Sequence, residues 1–534
     1  MIQSLQKVLA LACSLLLLAV GVVHSRSVVR SKQAELTAIT HVILLDGSGK
    51  KPLPDATVIF SGDTIAGVGP SSQTSIPTGA RIVNGSGFVL APGFIDTHNH
   101  SDRGFETDAS ATTQVSQGIT TVAVGQDGGS ALPIGPYLLK LDQSPVAVNV
   151  VTFVGHATVR AAAMNKDTNR QATPAEIESM KQMVEQAMRA GAFGLSSGLE
   201  YETGKPASTE ELIELAKVAG RFSGIYISHI RDEADKTFEA LNEAIRIGRE
   251  GKLPAQISHI KLGSVAVWGR AREAVALINR ARHEGQDVTA DCYPYDAWNS
   301  TIRVLIPSGR HDNAVDVARG LADVGGAQNI TIVSCPSHSD FEFKTLAEIA
   351  NEQRLTAVEL YMRIVRDGGA SIVCHSMKEE DIRVFYQQPW VMVSSDGGIG
   401  SRHPRGAGTF PRVLGRFVRE DHWLSLSEAI RKMTSLPAAR LGLRDRGFIR
   451  AGFKADLVLF DPKQVIDRAT FEQPQLLAAG INRVFVNGTE VWAAGKVSGA
   501  HPGRALRHLF RMSVAAVIRE TEFVSTSGAE LSVD

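Results

Sequence analysis

Four histidines stand directly after short apolar runs that have the composition of buried β-strands. His98 and His100 close the first such run, and His229 and His259 each follow a later run that ends in Ile-Ser. Because alternate side chains of a strand point to the same face, His98 and His100 can bind one ion together. Imidazole nitrogens combined with one or two carboxylates suit Zn²⁺ best among the common metals, although Mn, Fe and Co also accept this set.

Two aspartates follow other strand-like runs and complete this set. Asp127 comes after the second run and Asp396 after the last. A divalent ion lowers the pKa of a water that it binds to about 7, which makes that water a nucleophile at neutral pH. A nearby carboxylate can take the proton of the water and later deliver it to a leaving nitrogen. We therefore predict a metal-dependent hydrolase with Asp396 as its catalytic residue.

The coincidence of these residues carries the prediction, because each of them alone is weak evidence. A single histidine after a strand is more often a satisfied core or turn residue than a ligand, and an isolated His-x-His pair is also common. Four histidines at three strand ends, with an aspartate at another, favour a shared site. His156 follows the third run and is a weaker candidate for a supporting or substrate role, while His375 and His403 flank the last run and stay open.

Strands and helices alternate over residues 88–443. Amphipathic segments such as 174–190, 209–219 and 236–251 separate the apolar runs, and Thr173 and Ser208 open two of them with capping sequences. Eight strand–helix units in succession are typical of a parallel (β/α)8 barrel, in which the C-terminal ends of the strands form the active site. The predicted strands are 89–95, 120–124, 146–154, 192–196, 224–228, 255–258, 287–290 and 391–394.

Both flanks of this region are predicted as β-structure. Short strand-like runs separated by turns occupy residues 36–87, and similar runs with an Asn487-Gly488 hairpin turn return in residues 446–506. We predict one composite β-sheet domain built from both termini. The long gap before the eighth strand is predicted as an insertion of about residues 300–385 with strands of its own, because a structureless loop of that size is rare. Residues 507–534 are predicted to be a C-terminal tail.

The composition excludes several classes of protein. Among 534 residues, 56 Lys and Arg balance 56 Asp and Glu, and 43% of the residues are hydrophobic. This chain is too apolar for a disordered protein, and its balanced charge disfavours a basic nucleic-acid surface. We therefore expect a small-molecule partner and no nucleic acid.

Residues 1–25 are predicted to be a secretory signal peptide. Lys7 precedes an apolar run over residues 8–23, which is short for a membrane-spanning helix of about 20 residues and normal for a signal. We expect export to the periplasm or the exterior, with an uncleaved membrane anchor as the alternative. Apart from Cys13 in this segment, Cys292, Cys335 and Cys374 allow at most one disulfide, and buried free thiols are the alternative.

The sequence resembles a known family in several of its motifs. The segment APGFIDTHNH at 91–100 resembles the opening motif of the amidohydrolase superfamily. The closer resemblance is to the D-aminoacylase (N-acyl-D-amino-acid deacylase) family. It is carried by GITTV at 118–122, SHIRDE at 228–233, ISHIK at 257–261, DCYPY at 291–295, SSDGG at 394–398, ADLV at 455–458 and HPGR at 501–504. It runs from about residue 36 to 506 and implies a zinc-dependent hydrolase of the linear amide bond of N-acyl-D-amino acids.

The resemblance also implies roles for individual residues. His229 and His259 would hold the tightly bound metal, and His98 and His100 a second or weaker one. Asp396 would be the catalytic acid and base.

Three further residues would face the substrate carboxylate in a protein of this family. They are Lys261, Tyr293 and Arg405. Arginine suits this task because its planar guanidinium matches a carboxylate. The alternatives are a loop salt bridge for Arg405 and a packed aromatic ring for Tyr293.

One position departs from the family pattern. The family usually has Gly-Asn-Cys-Gly after its second strand, with the thiolate as a metal ligand, whereas this sequence has GQDG at 125–128 and places Asp127 at the cysteine position. A carboxylate can bridge two divalent ions as a thiolate can, but it is a harder ligand. We predict that Asp127 ligates or bridges one or two ions, zinc or another divalent metal. The alternative is a turn aspartate in a Gly-rich loop.

Two related activities and one different class are the alternatives. A cyclic-amide hydrolase of the dihydroorotase or hydantoinase type commonly uses a carboxylated lysine at the fourth strand, and residues 192–199 contain no lysine. A dipeptidase acting on D-amino-acid-containing dipeptides is the second alternative. A degenerate barrel that only binds ligands is disfavoured because the full set of candidate ligands is present.

Overall fold

The structure is a computed structural model that describes residues 36–509. The predicted signal peptide, Cys13 and most of the predicted C-terminal tail lie outside the described residues. Within residues 36–509, no helix combines the length and apolar character needed to cross a bilayer.

Eight parallel strands of the described chain form a (β/α)8 barrel, which confirms the predicted fold class. Neighbouring strands pair in chain order, and the third is interrupted at Phe153. The eighth strand returns beside the first, because the Asp396 N–H donates to the His98 carbonyl at 2.9 Å and the His100 N–H to the Gly397 carbonyl at 2.7 Å. The strands are Phe94–Asp96, Ile119–Val124, Asn149–Thr152 with Val154–Gly155, Gly194–Gly198, Ile225–His229, Ala255–Ile257, Val288–Cys292 and Val391–Val393.

The first predicted strand, residues 89–95, is two elements, so its prediction as one strand was wrong. Val89–Pro92 belongs to the β-sheet domain, and Phe94–Asp96 opens the barrel. Gly93 separates them and donates its N–H to the Asp456 carbonyl at 2.8 Å. A Cβ at this position would lie 2.2 Å from Thr120 Oγ1, so only glycine fits. The hydrophobicity of the sequence does not reveal this break, because both strands are fully buried.

The two flanks of the barrel form one sheet of nine strands within the described residues. Val89–Pro92 joins them, since it pairs in parallel with Leu36–Leu44 and antiparallel with Leu457–Phe460. The predicted Asn487-Gly488 turn does connect two antiparallel strands. The strands are Leu36–Leu44, Leu53–Ser61, Thr64–Pro70, Arg81–Asn84, Val89–Pro92, Leu457–Phe460, Ile481–Val486, Thr489–Ala493 and Lys496–Val497.

Between the seventh and eighth barrel strands, the chain forms a small α/β unit with its own hydrophobic core. Its antiparallel strands are Trp298–Thr301, Ile330–Ser334 and Ser371–Cys374, and its helices are Ala314–Asp323, Leu346–Gln353 and Ala357–Arg366. Ile332, Leu360 and Ile372 are fully buried in this core. Cys292, Cys335 and Cys374 are buried free thiols.

The helices around the barrel begin where the capping sequences predict. Thr173 and Glu176 form a reciprocal capping box, and the Ser208 hydroxyl accepts the Glu211 N–H at 3.1 Å. The helices outside the insertion are Thr112–Val115, Ile134–Gln143, His156–Ala163, Pro174–Ala190, Thr209–Arg221, Thr237–Gly251, Ala271–His283, Glu379–Tyr386, Arg405–Arg412, Val413–Glu420 (a π-helix), Leu426–Met433 and Ser435–Arg440. Short 3₁₀ turns are Ser71–Gln73, Ser101–Arg103, Ile302–Leu305, Ala327–Asn329 and Ser339–Phe341.

Candidate metal-binding active site

The side chains predicted to bind metal converge at the C-terminal mouth of the barrel. One ligand atom each from His98, Asp127, His259 and Asp396 lies within 4.8 Å of the others. His229 joins this cluster through its Nδ1, which is 3.1 Å from His259 Nε2. Residues separated by as many as 298 positions along the chain therefore meet at one point, as strand ends of a parallel barrel must.

The donors around His98 fit a divalent cation. Its Nε2 lies 3.3 Å from Asp127 Oδ1 and 3.5 Å from Asp396 Oδ1. Both ring nitrogens of His98 and Oδ1 of Asp127 are buried and make no hydrogen bond within residues 36–509. Buried polar atoms are almost always partnered, so this group of unpartnered nitrogen and oxygen atoms fits a cation-binding site. Nitrogen and carboxylate oxygen donors are the ligands that zinc and similar divalent ions take.

The Asp127 carboxylate lies between the histidines of two different strands. Its Oδ1 is 3.6 Å from His259 Nε2 as well as close to His98, and its Oδ2 is 3.4 Å from His100 Nε2. The two oxygens thus face different imidazoles. This is the arrangement that a bridging carboxylate requires.

Three of these residues have backbone conformations that L-amino acids rarely adopt. The φ angles are +54° for Asp127, +35° for His259 and +46° for Asp396. Each such residue costs on the order of 1–3 kcal/mol unless the surroundings enforce it. The Asp291 carboxylate accepts the His259 N–H at 2.8 Å, and the His98 carbonyl accepts the Asp396 N–H. Strain concentrated in this way is typical of a functional site.

Opposite charges control the protonation of the cluster. Burial disfavours the charged form of His100, but hydrogen bonds to Asp127 and Asp396 outweigh it and raise the pKa of His100 to about 9. Burial also disfavours the ionised form of Asp396, yet the charges of Arg405 and His259 hold its pKa well below the usual range. Asp127 has its pKa lowered in the same way, against its burial, chiefly by the charge of His98. Both carboxylates are therefore ionised at neutral pH.

Arg405 reaches the cluster from the segment after the eighth strand. Its Nη1 lies 2.7 Å from Asp396 Oδ2, and its guanidinium lies 4.7 Å from the centre of the Tyr293 ring. Its Nε is buried and makes no hydrogen bond in the described part of the chain. Arg405 therefore forms a salt bridge, and its partner is the predicted catalytic aspartate.

Lys261 and Arg405 both lie over the Tyr293 ring, but the polar atoms of Lys261 and Tyr293 are engaged elsewhere. Lys261 Nζ donates to both oxygens of Glu233 at 2.7 and 2.8 Å and lies 2.6 Å from His259 Nδ1. The Tyr293 ring is 1% exposed, and its hydroxyl contacts Met377 Sδ at 3.7 Å. Tyr293 therefore lies behind the cavity wall, where it supports the two cations.

A cavity of about 540 Å³ opens above the cluster. The barrel supplies the ligand cluster at its floor, and the inserted unit supplies part of its wall, including Trp298, Val304 and Leu305. This volume and this mixture of apolar and charged lining suit a small molecule.

Comparison with known proteins identifies the family. A model of the amidohydrolase family matches residues 81–497. The chain belongs to the amidohydrolase family. The D-aminoacylase of Alcaligenes xylosoxydans xylosoxydans is 37% identical over 492 residues, which cover 87% of this chain and 96% of the relative. An N-acyl-D-glutamate deacylase from the same organism is 38% identical over 488 residues, with 87% and 95% covered.

A solved structure gives the same result for the fold. The N-acyl-D-glutamate deacylase of Bordetella bronchiseptica, in complex with zinc and a phosphonate that mimics the tetrahedral intermediate, aligns with a TM-score of 0.81 and 34% identity. The alignment covers 89% of this amidohydrolase and all of that chain. The resemblance to the D-aminoacylase family is thus confirmed.

Three polar residues at the site of this amidohydrolase were missed by sequence reasoning. Glu200 and Tyr201 follow the fourth strand, and Glu233 lies four residues after His229. Tyr201 places its hydroxyl 3.3 Å from His229 Nδ1, and Glu233 Oε1 lies 3.1 Å from His259 Nδ1. Glu200 is the residue directly after the lysine-free segment 192–199. Asking which polar residues follow every strand would have found Glu200 and Tyr201.

The other candidate histidines lie outside the cluster. His156 Nε2 lies 2.8 Å from Glu211 Oε1 in a fully buried group that also contains Arg160. His403 accepts the Arg405 N–H at 3.0 Å, and burial followed by the charge of Arg405 lowers its pKa well below the usual value. His403 therefore shapes the segment that carries Arg405. His375 is part-exposed beside Asp296, at 3.8 Å.

Proposed function

We propose that this amidohydrolase is a zinc-dependent deacylase of N-acyl-D-amino acids. The observation that carries the proposal is the cluster of nitrogen and oxygen donors within 4.8 Å, with those of His98 and Asp127 Oδ1 unpartnered in the described residues, at the floor of a small-molecule cavity and beside a buried arginine. The names of the relatives support the substrate class. The D-configuration rests on those names.

The metal would be held by donors from four strand ends. These donors are His98, His100, Asp127, His229 and His259. Bound there, a divalent ion supplies a Lewis acid for the amide carbonyl and lowers the pKa of a water. The nitrogen donors and the harder Asp127 carboxylate are compatible with zinc and with other divalent metals.

Asp396 is suited to carry the proton. Its Oδ1 faces His98 and His100, while Arg405 holds its Oδ2 and favours the ionised form. In this state Asp396 accepts the proton of the attacking water. Protonated Asp396 then donates that proton to the amide nitrogen, so that the free amino acid leaves as an amine.

Arg405 is suited to bind the α-carboxylate of the substrate. Its unpartnered Nε supplies a donor, and the Tyr293 ring beneath its guanidinium fixes the orientation of that donor. Lys261 adds positive charge nearby, although Glu233 engages its ammonium group.

The test is a paired panel of N-acetyl-D and N-acetyl-L amino acids, assayed for free amine with and without a chelator and after zinc is restored. We expect hydrolysis of D-substrates that is lost with the chelator and recovered with zinc. Equal rates on both enantiomers would contradict the D-specific part. Turnover of hydantoin or dihydrouracil in place of the acyl amino acids would replace the assignment with a cyclic-amide hydrolase.

We also propose that residues 1–25 direct export. The apolar run over residues 8–23 after Lys7 supports this. N-terminal sequencing of the protein recovered from its native membrane and periplasmic fractions provides the test. A start at Arg26 is expected, and a start at Met1 in the membrane fraction would indicate an anchor.

A further inference from the structure

Two histidines of the cluster are each backed by a glutamate on the side away from the cluster. His229 turns its Nδ1 towards His259 Nε2, at 3.1 Å, and its Nε2 lies 2.9 Å from Glu200 Oε2. His259 has the same arrangement with its nitrogens exchanged, since its Nδ1 faces Glu233 Oε1 at 3.1 Å. The inner nitrogens of both rings therefore point to the same place.

The backbone fixes Glu200 next to His229. The last residue of the fourth strand, Gly198, is in register with His229, and the Leu199 N–H donates to the His229 carbonyl at 3.1 Å. Glu200 comes next in the chain, and its side chain is 16% exposed. Glu202, two residues later, is 74% exposed and points away from the cluster towards Arg303.

The two glutamates differ in their other partners. Glu233 forms an ion pair with Lys261 through both oxygens, which neutralises much of its charge. Among residues 36–509, the imidazole of His229 is the hydrogen-bond and ion-pair partner of Glu200, and no lysine or arginine pairs with it within 4.0 Å. Lys205 interacts with Glu200 only at longer range, so the imidazole of His229 is the group that the Glu200 carboxylate contacts directly.

We propose, on the basis of the proposed function, that Glu200 is a positioning residue that sets the tautomer of His229. A neutral imidazole has one N–H donor and one lone pair, so a carboxylate at Nε2 keeps the proton there. The lone pair of Nδ1, which the Tyr201 hydroxyl also faces at 3.3 Å, is then directed towards the metal site. A carboxylate behind a ligating histidine also increases the basicity of the ring and fixes its orientation. Glu200 thus strengthens the metal site without contacting the metal.

A different role for Glu200 must be separated from this one. Glu200 also lines the cavity, so it could contact the substrate directly. A substrate contact would change KM and leave metal affinity intact. A positioning role changes the affinity for metal in the absence of any substrate.

The primary test measures zinc affinity of the purified full chain by competition with a chromophoric chelator, without substrate. Loss of a carboxylate behind a ligand typically weakens metal binding about 10- to 100-fold, and we expect this loss for Glu200→Ala. Glu200→Gln keeps an acceptor oxygen but loses the charge, so this variant should lose less zinc affinity than Glu200→Ala. Glu202→Gln is the matched control on the same loop and should change the affinity less than about twofold. Wild-type affinity in Glu200→Ala would overturn the proposal.

A double-mutant cycle shows whether Glu200 acts through His229. In a His229→Ala background, Glu200→Ala should weaken zinc binding less than about twofold further, because its partner is already missing. A full, additive loss would overturn the positioning role. Thermal unfolding of each variant in chelator controls for folding, and equal melting temperatures are expected.

The outcome separates this inference from the proposed function. Zinc binding that depends on Glu200, together with no hydrolysis of any acylated amino acid, would refute the proposed function alone. Hydrolysis with zinc affinity independent of Glu200 would refute the positioning role alone.

Discussion

The substrate-binding role proposed for Arg405 leads to a quantitative prediction. Its Nη1 pairs with Asp396, its Nε makes no hydrogen bond within the described residues, and its side chain lines the cavity, so the guanidinium keeps donor capacity for a substrate carboxylate. A hydrogen bond to a charged group contributes about 1.5–3 kcal/mol. At about 1.36 kcal/mol for each tenfold change in rate, its loss corresponds to roughly a 10- to 150-fold change.

The assay must separate carboxylate binding from the effect of Arg405 on Asp396. We compare kcat/KM for N-acetyl-D-leucine and for N-acetyl-D-leucinamide, which lacks the carboxylate. Arg405→Met should slow both substrates, since the charge beside Asp396 is lost in both cases. The ratio of the acid rate to the amide rate isolates the carboxylate contact, and it should fall by roughly 10- to 150-fold.

A neighbouring arginine provides the control. Arg402 is 44% exposed and pairs with Glu342 at 2.6 Å, away from the cluster. Arg402→Met should leave the acid-to-amide ratio unchanged. If Arg405→Met lowers both rates equally, Arg405 serves Asp396 alone and the carboxylate is bound elsewhere.

Three further predictions concern metal binding and stability. Asp127→Ala should lower the zinc content of the purified protein, and unchanged stoichiometry would reject Asp127 as a ligand. Zinc at about 1,000 times its Kd should raise the free energy of unfolding by about 4 kcal/mol, and an equal melting temperature with and without chelator would contradict binding to the folded state. Burial lowers the pKa of Lys432 from 10.5 to about 8, so between these values the unfolded chain holds a proton that the folded chain has lost. The free energy of unfolding of the wild type should therefore rise by about 3 kcal/mol relative to that of Lys432→Met as the pH increases from 7 to 10.5. A difference between the two proteins in urea unfolding that stays constant with pH would refute this.

The barrel and the ligand cluster were accessible from the sequence because both follow from local patterns. A buried parallel strand is a short apolar run, and the polar residue that follows it must lie at the mouth of the barrel. His98, His229, His259 and Asp396 each obey this rule, although they are far apart in the chain. The rule needs no knowledge of side-chain packing.

The features that the sequence did not predict depend on contacts between distant segments. The division of residues 89–95 at Gly93 depends on how closely Thr120 approaches, which hydrophobicity does not record. The partner of Arg405 depends on the fold of the segment after the eighth strand. Glu200 was within reach of the strand-end rule, but its role depends on the register between the fourth and fifth strands.

The arrangement of the cavity separates catalysis from substrate selection. The ligand cluster and Asp396 lie on barrel strand ends, where parallel hydrogen bonding fixes their positions. Part of the opposite wall comes from the inserted unit, in which Trp298, Val304 and Leu305 face the same cavity. Two relatives, 35% and 38% identical to this chain, are named for different substrates, N-acyl-D-aspartate and N-acyl-D-glutamate. Since wall residues on the insertion can change without moving a strand end, substrate range can vary while the metal site stays intact.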